Sequence, residues 1–101
     1  MATVMLMRWE GVTPDQYEAA RAKVRWEEDV PQGAQFHVAG FDGGALRVLD
    51  IWDSREDFER FVEQRLMPGV REVGIEGDPD VLYYPVHAVF APAYESSPAS
   101  A

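Results

Sequence analysis

A chain of 101 residues with a formal charge of −9, 47 % apolar residues and no cysteine has the composition of one acidic domain around a single core. That charge argues against nucleic acid and anionic membranes as partners, since both need a basic footprint. Without thiols there is no disulfide, thiolate nucleophile or cysteine-based metal site, and no stretch has the pattern of a secretion signal or a membrane span, so a cytosolic protein is expected.

Thr3 to Trp9 is apolar on both parities and reads as a first strand. Thr13-Pro14-Asp15-Gln16 then starts a helix: Thr13 caps, proline suits the first helical position, and Gln16 completes a capping box. Tyr17, Ala20 and Val24 form its buried stripe, and Val30-Pro31-Gln32-Gly33 closes it as a loop. Ala34 to Phe41 and Ala45 to Asp53 are two strands joined at Asp42-Gly43-Gly44, a hairpin signal. Ser54 caps a second helix with Phe58, Phe61, Val62 and Leu66 inward; Pro68-Gly69 is expected to break it, with a short turn of helix after. Val81 to Ala91 reads as the last strand, placed at a sheet edge by Pro85, which has no amide to donate. Residues 1–91 are thus the folded domain, and residues 92–101 read as a disordered tail.

Strand, helix, strand, strand, helix, strand is the order of a ferredoxin-like α+β fold, an antiparallel sheet with both helices on one face. Two helices cover one face only, whereas these strands are apolar on both. A symmetric partner packing sheet on sheet would bury the other, so a homodimer is expected; a monomer closing over a ligand is the competing arrangement.

The stretch Val48-Leu49-Asp50-Ile51-Trp52-Asp53-Ser54-Arg55-Glu56-Asp57-Phe58 runs from an acidic residue through an aromatic into a Ser-capped helix. In this, and over residues 3 to 91, the chain resembles the antibiotic-biosynthesis-monooxygenase-like domains of the dimeric α+β barrel superfamily. The resemblance implies a sheet-to-sheet dimer and, among the activities of such domains, cofactor-free oxygenation of small aromatic or polyketide-like compounds. Two departures count against haem degradation: Phe61 to Met67 on the second helix has no histidine, and Val4-Met5-Leu6-Met7 on the first strand has no asparagine.

Chemistry can be placed on few residues. If the hairpin closes tightly at Gly43-Gly44, positions summing to 87 face each other, setting His37 opposite Asp50 and Gln35 opposite Trp52. His37 would then be a base oriented by Asp50, able to deprotonate a phenol or enol whose anion meets O2 or rearranges. A looser turn would put His37 beside Arg47, Leu49 and Ile51 instead; the competing reading of the pair is a satisfied cross-strand contact with no chemistry. Arg47, or a tyrosine, is the candidate anion stabiliser. Trp52, Trp26, Tyr17, Tyr84 and Phe58 are candidates to line an aromatic pocket between helices and sheet. His87, sharing parity with Tyr83, is expected to face the dimer partner. Neither histidine has a ligand partner at i+4, and Asp42-Gly43-Gly44-Ala45 leads into no helix, so neither a metal nor a phosphate-bearing cofactor is expected. The alternative to an enzyme is a non-catalytic dimeric domain whose pocket only binds a small ligand or is filled by its own aromatics.

Overall fold

The computed structural model describes residues 1–94. The elements are β1 (Thr3–Glu10), α1 (Pro14–Val24), β2 (Ala34–Phe41), β3 (Ala45–Trp52), α2 (Arg55–Phe61), a π-helical turn (Val62–Leu66), α3 (Met67–Glu72), β4 (Asp80–Pro85) and a 3-10 turn (Pro92–Tyr94). One antiparallel sheet in the order β2-β3-β1-β4 makes this the ferredoxin-like α+β fold expected from the order of elements, with β4 at an edge as Pro85 requires.

Both helix starts form as read. Thr13 Oγ1 accepts from the Gln16 amide at 3.1 Å while Gln16 Oε1 accepts from the Thr13 amide at 3.0 Å, and Ser54 Oγ accepts from the Asp57 amide at 3.1 Å. Each such cap contributes about 1 kcal/mol. The register then sorts the sheet. Met5, Met7 and Trp9 lie opposite Asp50, Val48 and Leu46 of β3, and His37, Ala39 and Phe41 of β2 continue those rows. This is the helix-covered face, where Ala20, Phe58 and Val70 join Met5, Met7, Val48 and Trp52 in one buried cluster.

The opposite face has no helix over it. Two apolar rows cross all four strands there, Val38–Leu49–Leu6–Leu82 and Phe36–Ile51–Val4–Tyr84. Val38, Leu82 and Tyr84 are each about half exposed.

Four details depart from the sequence expectation. Pro68 does not break the second helix. The turn before it widens, with the Met67 amide bonding Val62 O in an i to i−5 pattern, so the helix passes the proline and runs to Glu72. Gly69 then meets α1 so closely that a Cβ would lie 2.6 Å from Val24 Cγ2. The last strand ends at Pro85 rather than Ala91. Its register pairs Thr3 with Pro85, and Val86 donates to Ala2 O at 2.9 Å, so residues beyond 87 have no neighbour on β1. The segment after it reaches the other edge, where Tyr94 meets Phe36 edge-on at 6.3 Å. Pro92–Tyr94 is therefore an ordered turn; the remainder of the expected tail lies outside the described residues. Finally, β4 has the opposite facing from that expected: Tyr83 points to the helices, with Arg55 over its ring at 4.2 Å, and Tyr84 to the open face. His87 lies beyond the strand, exposed.

Candidate active site

The tight hairpin forms: the Asp42 amide donates to Ala45 O at 3.1 Å, and His37 pairs with Asp50. A bulge at Gln35 shifts the register by one below it, so Ala34 and not Gln35 faces Trp52; Gln35 Nε2 instead donates to Asp53 Oδ1 at 2.6 Å. The bulge leaves Ala34 and His37 both on the helix side.

Asp50 is the one buried charged residue among those described, 6 % exposed, and both its oxygens are used. Oδ2 accepts from Trp52 Nε1 at 3.0 Å, and Oδ1 lies 2.7 Å from His37 Nδ1. A carboxylate only accepts, so Nδ1 carries a proton, and in the neutral ring the lone pair then sits on Nε2. Tyr17 Oη, 2.7 Å from Nε2, donates into that lone pair. Indole, carboxylate, imidazole and phenol thus form one continuous hydrogen-bonded chain. Burial pushes the Tyr17 phenol up to about 12, with Glu18, Glu27 and Asp50 adding to the rise and Arg21 opposing it. Tyr17 therefore remains a hydroxyl throughout the ordinary pH range.

The chain opens into a cavity of about 240 Å³ between sheet and helices. Its deep end is apolar, formed by Trp9, Val12, Val70 and Ile75. At the rim Trp26 stands 5.5 Å from the His37 ring and 5.8 Å from Tyr17, with Val30 and Pro31 beside it. That rim segment leaves α1 through Arg25, in a left-handed conformation at φ 60°, and is tied down by Arg65 Nη2 donating to Val24 O at 2.9 Å. Arg65 belongs to the π-helical turn, so the irregular turn and the rim are directly joined.

Of the residues singled out from sequence, His37, Asp50, Trp52, Trp26 and Tyr17 meet in this cavity. Three do not. Arg47 lies on the open face, ion-paired with Asp42, because its parity in β3 is opposite to that of Asp50. Tyr84 lies on the same open face opposite Val4. Phe58 is buried behind Trp52, ring centroids 5.4 Å apart, and supports that wall without lining it. The direct bond from Tyr17 to His37 was missed: the helical stripe placed Tyr17 inward but not against a particular strand residue. The deep end and Arg65 were also missed; Trp9 alone carried a signal, as an aromatic on the first strand. Among the described residues no group of three or more His, Asp or Glu side chains is placed to hold a metal ion.

No family model and no curated protein matches this sequence. Solved structures do match its fold. SnoaB, a cofactor-independent oxygenase from Streptomyces nogalater, superposes with a TM-score of 0.62 at 12 % identity over 87 % of this chain and 94 % of its own. The monooxygenase from the gene ActVA-Orf6 of Streptomyces coelicolor, solved with the ligand nanaomycin D, gives 0.59 at 16 % identity over 90 % and 92 %. Rv0793 from Mycobacterium tuberculosis gives 0.61 at 15 % identity over 90 % and 100 %. The chain has the fold of antibiotic-biosynthesis-monooxygenase-like domains.

Proposed function

We propose that this protein is a proton-abstracting enzyme of the monooxygenase type, acting on a small aromatic or enolisable compound, with His37 as base and Asp50 as its orienter. The observation that carries the reading is the hydrogen-bonded chain from Trp52 through Asp50 and His37 to Tyr17, opening into an apolar cavity. Asp50 holds the imidazole in the tautomer whose acceptor is Nε2, and balances the imidazolium that forms when that nitrogen takes a proton. An oriented base of this kind contributes roughly 10²–10⁴-fold to a proton transfer. The substrate anion passes an electron to O2, the radical pair closes a C–O bond, and the peroxide loses water. Overall a CH2 carbon and O2 become C=O and H2O, with the His37 proton returned to the departing hydroxide. SnoaB, a cofactor-independent oxygenase, and the ActVA-Orf6 monooxygenase support the reading by shared fold only.

A panel of phenols, naphthols and hydroquinones in an oxygen electrode tests it. Wild type is expected to consume O2 with at least one of them, and His37→Ala to lose about 10²–10⁴-fold of that rate while keeping its circular dichroism. Equal rates in the two proteins would remove His37 from the chemistry.

The open face supports a symmetric dimer as part of this reading. Two apolar rows across all four strands, bounded by the polar row Gly40–Arg47–Arg8–Asp80, fit a second copy packed sheet on sheet. Light scattering is expected to give twice the 11.4 kDa chain mass, and Leu82→Arg, a charge set on the half-exposed β4 end of an apolar row of that face, to give a folded monomer. An unchanged dimer in Leu82→Arg would move the interface elsewhere.

A further inference from the structure

The cavity is selective in charge. Among the described residues its lining contains no Arg or Lys, its one carboxylate is Asp50, and Arg47 is on the other side of the sheet. A ligand carboxylate or phosphate would enter beside a negative group with no cation to meet it, and would lose its hydration for nothing in return. The cavity is also selective in size. At about 240 Å³ it falls below the roughly 300–1,000 Å³ common for drug-sized ligands, which leaves space for one or two rings between Trp26 and Trp52.

One polar contact remains for such a ligand. The single lone pair of His37 Nε2 is already engaged by Tyr17 Oη at 2.7 Å. Tyr17 is also poorly placed to swing away: it stands on a helix whose first turn is held by a capping box, with Trp26 5.8 Å and Phe41 6.3 Å from its ring. Its oxygen, unlike Nε2, still has lone pairs to offer a donor.

Building on the proton-abstraction reading, we propose that the pocket takes neutral one- or two-ring phenols and that Tyr17 passes their proton to His37. The substrate O–H donates to Tyr17 Oη while the Tyr17 proton moves to Nε2. The substrate O–H bond breaks, the Tyr17 O–H bond is re-formed, and an N–H bond forms on His37. The products are a phenolate, a neutral Tyr17 and an imidazolium paired with Asp50, with charge and protons conserved. Tyr17 then donates to the new phenolate oxygen and holds it in place. It is a catalytic residue in this scheme, since it touches the substrate.

The probe is 4-nitrophenol at a pH where it is protonated in free solution, followed by its yellow phenolate band. Wild type is expected to raise that band on binding, and Tyr17→Phe to lower it about tenfold or more. 4-Nitroanisole, which has no proton to give, is expected to bind both proteins alike, which a merely structural role of Tyr17 would not allow. In wild type alone, 4-nitrobenzoate is expected to bind about tenfold or more weakly than 4-nitrophenol; 1-naphthol should displace the nitrophenol, and three-ring 1-hydroxyanthraquinone should not. Phenolate formation in Tyr17→Phe equal to wild type, with His37→Ala silent, overturns the relay and leaves His37 as a direct base. Nitrobenzoate or the three-ring compound binding as well as 4-nitrophenol overturns the substrate class. No phenolate in wild type above that in His37→Ala overturns the relay together with the proton-abstraction reading beneath it.

Discussion

Asp50→Asn is expected to reduce turnover by about 10²–10⁴-fold while leaving the protein folded. The reason lies in the tautomer. An asparagine can accept through its oxygen from only one of the two donors that Asp50 now serves. With the oxygen kept on buried Trp52 Nε1, the amide nitrogen faces His37 Nδ1 and donates to it. The imidazole proton then moves to Nε2, the atom that must accept, and the base is lost without any change in shape. Stability falls much less, by about 1–3 kcal/mol, because one charge-assisted bond becomes a neutral one and His37 keeps contact with water. Steady-state rates and urea unfolding on the same preparation separate the two effects. A variant with a near-wild-type rate would show that Asp50 does not set the tautomer.

Trp52→Ala is expected to have the largest effect on stability, about 3–5 kcal/mol, in a chain of a size whose total is about 5–15 kcal/mol. Trp52 is 3 % exposed and packs on Phe58 and Phe61 at ring distances of 5.4 and 5.5 Å. Removing it opens a cavity at the junction of β3 and α2 and leaves Asp50 Oδ2 without its donor. Trp52→Phe divides these contributions: most of the ring burial stays and only the N–H is lost. Urea denaturation should therefore show a clearly smaller loss for Trp52→Phe, with the rate still reduced because Asp50 is less firmly held. Equal losses in the two variants would place the effect in the hydrogen bond and not in the packing.

Much of this was legible in the sequence because the informative signals were local. Capping residues at Thr13 and Ser54 fix helix starts within a few positions, and a two-residue glycine turn fixes a hairpin register as far as the ladder stays regular. The His37–Asp50 pair followed from the turn at Gly43-Gly44 by counting alone. Counting failed where the ladder is irregular: the bulge at Gln35 consumed one residue, and Gln35 lost the place assigned to it. Parity in β4 was ambiguous because Val81 to Tyr84 is apolar without a break, and only pairing with β1 decides that Tyr83 turns to the helices and Tyr84 away. Arg47 cannot share the site with Asp50, since a residue three positions away on a strand faces the other way. Pro68 broke nothing because a wide helical turn, a tertiary accommodation with no signature in composition, precedes it. The Tyr17–His37 bond joins residues 20 positions apart on different elements, and no periodicity encodes such a meeting.

Nitrogen-15 NMR of the histidine side chains, in wild type at neutral pH, tests most directly whether His37 is a base ready to accept at Nε2. The expected spectrum shows a neutral ring with its proton on Nδ1, shared with Asp50, and Nε2 shifted as an acceptor from Tyr17; Asp50→Asn should invert the pattern. A proton on Nε2 in the wild-type protein would contradict the proposed chemistry, leaving Tyr17, His37 and Asp50 as a structural contact.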